Sequence, residues 1–316
     1  MYEFNDGVDL TPPVGAFSNN VSGYYYEPRF TTYVAAGGKH SVGLCQWDSK
    51  FDNVKTDQII MHDETEDVNP VIIQVKLVSP NDRGPPIVVI TTLTHVRLYA
   101  VADTKHIFSV RQPGFKTKIE LTKEYEDRDA SGKTTAQDVI ANAKEMYQIS
   151  RGITCVDSYI YVGCNDGSIL VMHCNNSRHV TLKPTLKEHQ NAIIGLATCA
   201  YDYLTVCADV TGDVSVWPRN FKTVTKLIRT KHNISALNIL RKHIIVGNYQ
   251  GLVLLFNIAS GELVAEIAAH GREVTSVSVA PESAYMLTAS RDGVVNIWKL
   301  HTRRPEAFSV RMTTRD

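Results

Sequence analysis

The chain has 316 residues, 43% hydrophobic and 21% charged, which is enough apolar surface for a buried globular core. Lys plus Arg and Asp plus Glu both number 33, so composition offers no global electrostatic case for nucleic acid or an anionic membrane. No run approaches 18 uninterrupted apolar residues, so no membrane insertion is expected.

Residues 1–18 read as a leader. The opening "MYEFNDGVDL" lacks a basic start and an apolar stretch, so no signal peptide is expected. On that basis the six cysteines, none in a C-x-x-C pair, are expected as reduced thiols in the cytoplasm. The N-x-S sequons at Asn20, Asn175 and Asn233 then read as chance matches. Strand-like runs follow at 20–26, 31–36, 41–47 and 56–62, rich in β-branched and aromatic residues. The acidic cluster from His62 to Asn69 reads as a solvated loop rather than a cation site. A second set of runs occupies 72–78, 86–92, 95–101 and 106–112.

Residues 114–145 form a charged insertion with both signs mixed, expected as a solvated loop. A short helix is predicted to start at Thr134, with Gln137 closing a capping box. Its "SGKTT" lacks the glycine a phosphate-binding loop needs five residues before Gly132, where Asp127 stands, so no nucleotide site is expected.

Beyond the insertion a pattern recurs. Gly167 precedes Met172 by five residues, as Gly212 precedes Trp217, Gly251 precedes Phe256, and Gly293 precedes Trp298. The glycines are 45, 39 and 42 residues apart, the signature of a repeat architecture. The last two units read as strands at 234–240, 243–248, 252–258 and 262–268, then at 274–280, 285–290, 294–300 and 307–313. Several runs are apolar at nearly every position, as strands buried on both faces are. The count is six four-stranded units.

These turns resemble those of the WD-repeat β-propeller family. Trp47-Asp48 is a literal WD pair, and Trp217 and Trp298 occupy the tryptophan slot. The resemblance implies an all-β propeller with six complete four-stranded blades readable, seven being the family expectation. The last blade is then either missing or the ring is closed by the leader, in a single domain over residues 19–316. It also implies a buried hydrogen-bond relay, best matched by His270, Ser290, Asp292 and Trp298. His189 and Trp217 repeat the 28-residue spacing, but Thr211 stands in the turn-Asp slot, so that second relay reads as incomplete. The relay is expected to be structural, because a buried indole N–H needs a partner.

No catalytic residue, metal site or cofactor is expected: G-x-G-x-x-G, H-E-x-x-H and G-x-S-x-G are all absent. His173 and Cys174 point to opposite faces of a strand and cannot easily share one ion. Charge is uneven despite the zero sum. Residues 219–231 carry five basic groups and no acid, while residues 1–70 carry eleven acids and four bases. The expected function is a non-catalytic protein–protein interaction scaffold. The alternatives are a fixed subunit of a vesicle-associated or cytoskeletal assembly, and an enzyme at the mouth of the axial channel. Expected partners are other proteins, including a second copy of the chain, with no nucleic acid. Localisation is expected to be cytoplasmic, with vesicle association as a variant. The residues just before each turn slot, Asn165, Val210, Tyr249 and Arg291, form the expected binding face, led by Tyr249 and Arg291 because Tyr and Arg are frequent interface anchors.

Overall fold

A computed structural model describes residues 10–11, 13–15, 17–50, 54–62, 70–82, 84–113, 149–175, 178–280, 282, 284–304 and 307–313, with side chains described as far as Leu300. Among them the regular structure is β-strand, apart from two three-residue 3-10 turns, Glu27–Arg29 and Pro80–Asp82. No helix of the described residues is long and apolar enough to cross a membrane. The insertion at 114–145, with its expected capping box, and the acidic residues 63–69 lie outside the described residues.

The chain divides into two compact units, residues 1–111 with 175–180, and residues 112–174 with 181–316. The first unit holds two four-stranded antiparallel sheets. One is β1 (Val21–Tyr26), β2 (Thr31–Gly37), β3 (Ser41–Asp48) and β4 (Lys55–Ile60). The other is β5 (Ile72–Val78), β6 (Ile87–Thr92), β7 (His95–Ala100) and β8 (His106–Arg111). Their shared core includes Ala35, Val42, Leu44, Ile72, Val75, Val88 and Ile90. The backbone N–H of Gly15, in the leader, donates to the carbonyl of Gly37 at 2.7 Å.

The second unit holds four such sheets. The first is β9 (Ile153–Val156), β10 (Tyr159–Gly163), β11 (Ser168–Cys174) and β12 (Val180–Lys187). The next is β13 (Ile193–Thr198), β14 (Thr205–Asp209), β15 (Asp213–Trp217) and β16 (Lys226–Arg229). Then come β17 (Ile234–Leu240), β18 (His243–Asn248), β19 (Leu252–Asn257) and β20 (Leu263–Ala268). The last is β21 (Val274–Ala280), β22 (Tyr285–Ser290), β23 (Val295–Arg304) and β24 (Ala307–Thr313). The fold is all-β, with six four-stranded blades of the β-propeller type.

The sequence explains how one blade packs on the next. A register shift recurs near the start of the first strand, between Ile193 and Gly195, Ile234 and Ala236, and Val274 and Ser276. Such a bulge re-aims the side chain beside it. Ile193, Ile234 and Val274 are all fully buried. The preceding blade receives Ile193 and Val274 at glycines. A Cβ on Gly163 would lie 2.4 Å from Ile193, and one on Gly247 would lie 2.6 Å from Val274. The repeating small-then-branched pattern is therefore a knob-and-hole code along the second unit. The described residues also mark where the code stops. Val253 and Leu255 on β19 are fully buried, but their register equivalents Val295 and Ile297 on β23 are 61% and 39% exposed.

Candidate functional site

The tight turns between second and third strands are shaped by glycine. Gly167, Gly212, Gly251 and Gly293 all adopt positive φ, between 81° and 98°, a conformation that costs L-residues free energy. Three of them have a second duty. A Cβ on Gly167 would lie 2.2 Å from the carbonyl oxygen of His189, on Gly212 2.2 Å from that of His232, and on Gly251 2.1 Å from that of His270. Each of these three glycines is the seat for the histidine loop that opens the following blade.

Those histidines organise the relays. In the last blade His270 Nδ1 lies 3.1 Å from Asp292, and its Nε2 lies 2.8 Å from Thr288 Oγ1. The Trp298 indole donates to the same Thr288 oxygen at 2.9 Å. The hydroxyl is thus supplied by Thr288, not by Ser290 as the sequence suggested. Met286 faces Trp298 across the strand pair, so Thr288 is one same-face step from the indole. Ser290 is two residues further on, at the strand end, where its hydroxyl donates to the Arg272 carbonyl and accepts the Asp292 N–H.

The second relay is complete, contrary to the reading of Thr211. His189 Nδ1 lies 3.1 Å from Asp209, its Nε2 lies 2.7 Å from Ser215 Oγ, and the Trp217 indole donates to Ser215 at 2.9 Å. Both non-histidine partners have moved in the sequence but not in their chemical role. Asp209 stands at the register position of Ser290, two residues before the turn slot. Ser215 stands on the third strand opposite Cys207, and Cys207 occupies the register position of Thr288. Thr211 instead donates its hydroxyl to Asp209 at 2.7 Å. In the intervening blade the His232 ring lies 3.4 Å from the Asn248 amide, and Phe256 has no N–H to add.

Burial pushes the Asp209 carboxyl up, but hydrogen bonds from His189, Thr211 and the Asp213 N–H outweigh it and hold the group below its ordinary value. Asp292 is also held low, first by the Val294 N–H and then by the Gly271 N–H and His270. Carboxylate, imidazole and hydroxyl in this order are also the parts of an activated nucleophile. Here the indole N–H occupies the hydroxyl oxygen, and Thr288 and Ser215 are both 0% exposed. A nucleophile so enclosed cannot reach a substrate, whereas a closed chain of buried hydrogen bonds fixes strands and loop together.

The expected binding face divides into two pairs. Tyr249 is 50% exposed at the tip of its turn. The turn is held by Asn248, whose side-chain oxygen accepts the Gln250 and Leu252 N–H groups at 3.0 and 2.9 Å. Arg291 is exposed and pairs with Glu273 at 2.8 Å. Asn165 instead accepts the Ser150 N–H at 2.6 Å, and Val210 is half-buried against the apolar cluster around Ile194 and Val206. No group of three or more His, Cys, Asp or Glu among the described residues could hold a metal ion. Cys174 is buried, while His173 packs against Tyr159 with ring centroids 4.9 Å apart.

A family model, WDR54, matches residues 134–314, more than half of the chain. The chain belongs to the WDR54 family. WD repeat-containing protein 54 of Mus musculus is 30% identical over 169 residues, covering 51% of this chain and 50% of that protein. The human WD repeat-containing protein 54 is 30% identical over 168 residues, covering 50% and 49%. The match thus spans about half the length of these curated WDR54 relatives. Among solved structures, a chain of the mitotic checkpoint complex is similar in fold, with a TM-score of 0.65 and 13% identity over 99% of this chain and 87% of that chain.

Proposed function

We propose that this WDR54-family chain is a non-catalytic scaffold that binds other proteins through its second-to-third-strand turns. The observation that carries the reading is Tyr249: a half-exposed aromatic ring on a turn whose backbone is already fixed by a buried asparagine. An anchor presented in advance of binding loses little conformational freedom when a partner arrives. Arg291 occupies the same register position on the adjacent blade, and Glu273 orients its guanidinium. The enclosed hydroxyls of both relays support a structural use of these groups, although they have the parts of a catalytic site.

The test is a quantitative pull-down from native cells with the parent protein and a Tyr249→Ala/Arg291→Ala variant, after equal melting temperatures have been verified. Loss of defined partners from the variant is the expected result. Retention of the same partners at the same level would remove this face from the proposal.

A further inference from the structure

A cavity of about 410 Å³ opens between the first two blades of the second unit. It lies among the first-to-second and third-to-fourth strand loops, at the end of the strands opposite the turns that carry Tyr249 and Arg291. Its inner wall is aromatic: Tyr161 of one blade stacks face to face on Phe221 of the next, with centroids 3.7 Å apart and planes within 12°. Phe221 stacks in turn on Trp217 at 5.6 Å. Phe221 adopts φ 50°, a left-handed conformation that is costly for a bulky residue. The Pro218 carbonyl, accepting its N–H at 2.9 Å, helps hold it there. Half-buried Tyr159 and Leu186 form the open wall.

The rim carries three charged groups, Asp157, Arg219 and Lys183. Arg219 grips Asp157 with two hydrogen bonds and lies over the Tyr203 ring at 4.2 Å, so its charge is already answered. Lys183, across the cavity on outer strand β12, is exposed and makes no ion pair among the described residues. Pro184 beside it lacks an N–H and weakens that edge as a template for a fifth strand. The site is therefore suited to an inserted side chain rather than to strand addition.

We propose that this groove docks an acidic peptide segment, which places one aromatic side chain against Tyr159 and Leu186, above the buried Tyr161–Phe221 stack, and a neighbouring carboxylate on Lys183. Aromatic rings on an aromatic wall gain from offset or edge-on packing as well as from burial. The carboxylate gives the segment its direction. Because the two surfaces lie at opposite ends of the strands, the chain can hold one partner on its turns and a second in the groove.

The probe is a fluorescein-labelled peptide of glutamate and glycine with one central phenylalanine, titrated by fluorescence anisotropy. Saturable binding is expected, weakened about two- to fivefold by Lys183→Glu and preserved by Lys183→Arg. Replacing the phenylalanine with alanine is expected to abolish binding. A photo-crosslinking group at that position is expected to label the segments around Tyr159 and Leu186. Equal binding of the alanine peptide would reduce the site to a non-specific cation and overturn the proposal. So would equal binding of a lysine-for-glutamate peptide, or crosslinks confined to other surfaces. The lysine variants change only an exposed side chain, so unfolding does not confound them.

Discussion

Gly251→Ala and Gly293→Ala separate the two duties of the turn glycine. The backbones are nearly the same, with φ 88° and 84°. In either variant an L-residue is forced into the left-handed region, at a cost of about 1–2 kcal/mol. At Gly293 nothing lies within 4 Å of the new Cβ, so that cost stands alone. At Gly251 the Cβ would meet the His270 carbonyl oxygen at 2.1 Å, its carbon at 2.7 Å and the Arg272 oxygen at 2.9 Å. These are backbone atoms, so the histidine loop itself must shift, adding about 1–3 kcal/mol of overpacking. The shift also draws His270 away from Thr288. Urea unfolding followed by tryptophan fluorescence reads the difference as separate midpoints at unchanged slope. The midpoint for Gly251→Ala should fall well below that for Gly293→Ala. Equal losses would refute the idea that the glycine seats the next blade's loop.

Position also decides the cost of charge on the third strand. Leu255→Asp puts a carboxylate into a fully buried site and should prevent stable folding, whereas Ile297→Asp, at a 39% exposed equivalent, should change the melting temperature little. The relays confer an acid limb on stability. Asp209 and Asp292 have folded-state values below 3.8, so their stabilisation is present above that pH and lost as pH falls through the folded values. Asp209→Asn should flatten this limb in thermal scans between about pH 5 and 2. Thiol labelling should follow burial: Cys155 is half-buried, while burial pushes Cys164 up to about 12 and Cys207 higher still. Iodoacetamide at pH 8 should therefore mark Cys155 in the native protein well before either of the others, as read by peptide mass spectrometry.

Strand existence was legible because period, turn glycine and β-branched runs agreed. The runs at 234–240, 243–248, 274–280 and 285–290 coincide with β17, β18, β21 and β22. The 294–300 run underestimates β23, which continues to Arg304 through polar and charged residues that carry no apolar signal. The relay was half legible. Histidine and tryptophan announce themselves by spacing, but the hydroxyl between them depends on which strand faces inward at one register position. Ser290 lies two residues beyond that position, and Ser215 lies across the pair from it. Asp209 is not legible from the turn slot, because a carboxylate at the strand end reaches the same imidazole. The Tyr161–Phe221 stack joins residues 60 apart, with no local pattern to signal their contact.

The groups that hold the blades are distinct from those proposed to meet a partner, and two variants compared side by side test that separation. Thr288→Val keeps the shape but leaves the Trp298 N–H and His270 without their shared hydroxyl, at about 1–3 kcal/mol for each orphaned group. Tyr249→Ala removes a half-exposed ring at the tip of a turn. Melting temperature and partner recovery, measured on both at a temperature where each remains folded, should dissociate. Thr288→Val should melt lower and still recover the parent's partners, while Tyr249→Ala should melt with the parent and lose them. The opposite assignment would contradict the account: unchanged stability with lost partners for Thr288→Val, or undiminished partners for Tyr249→Ala.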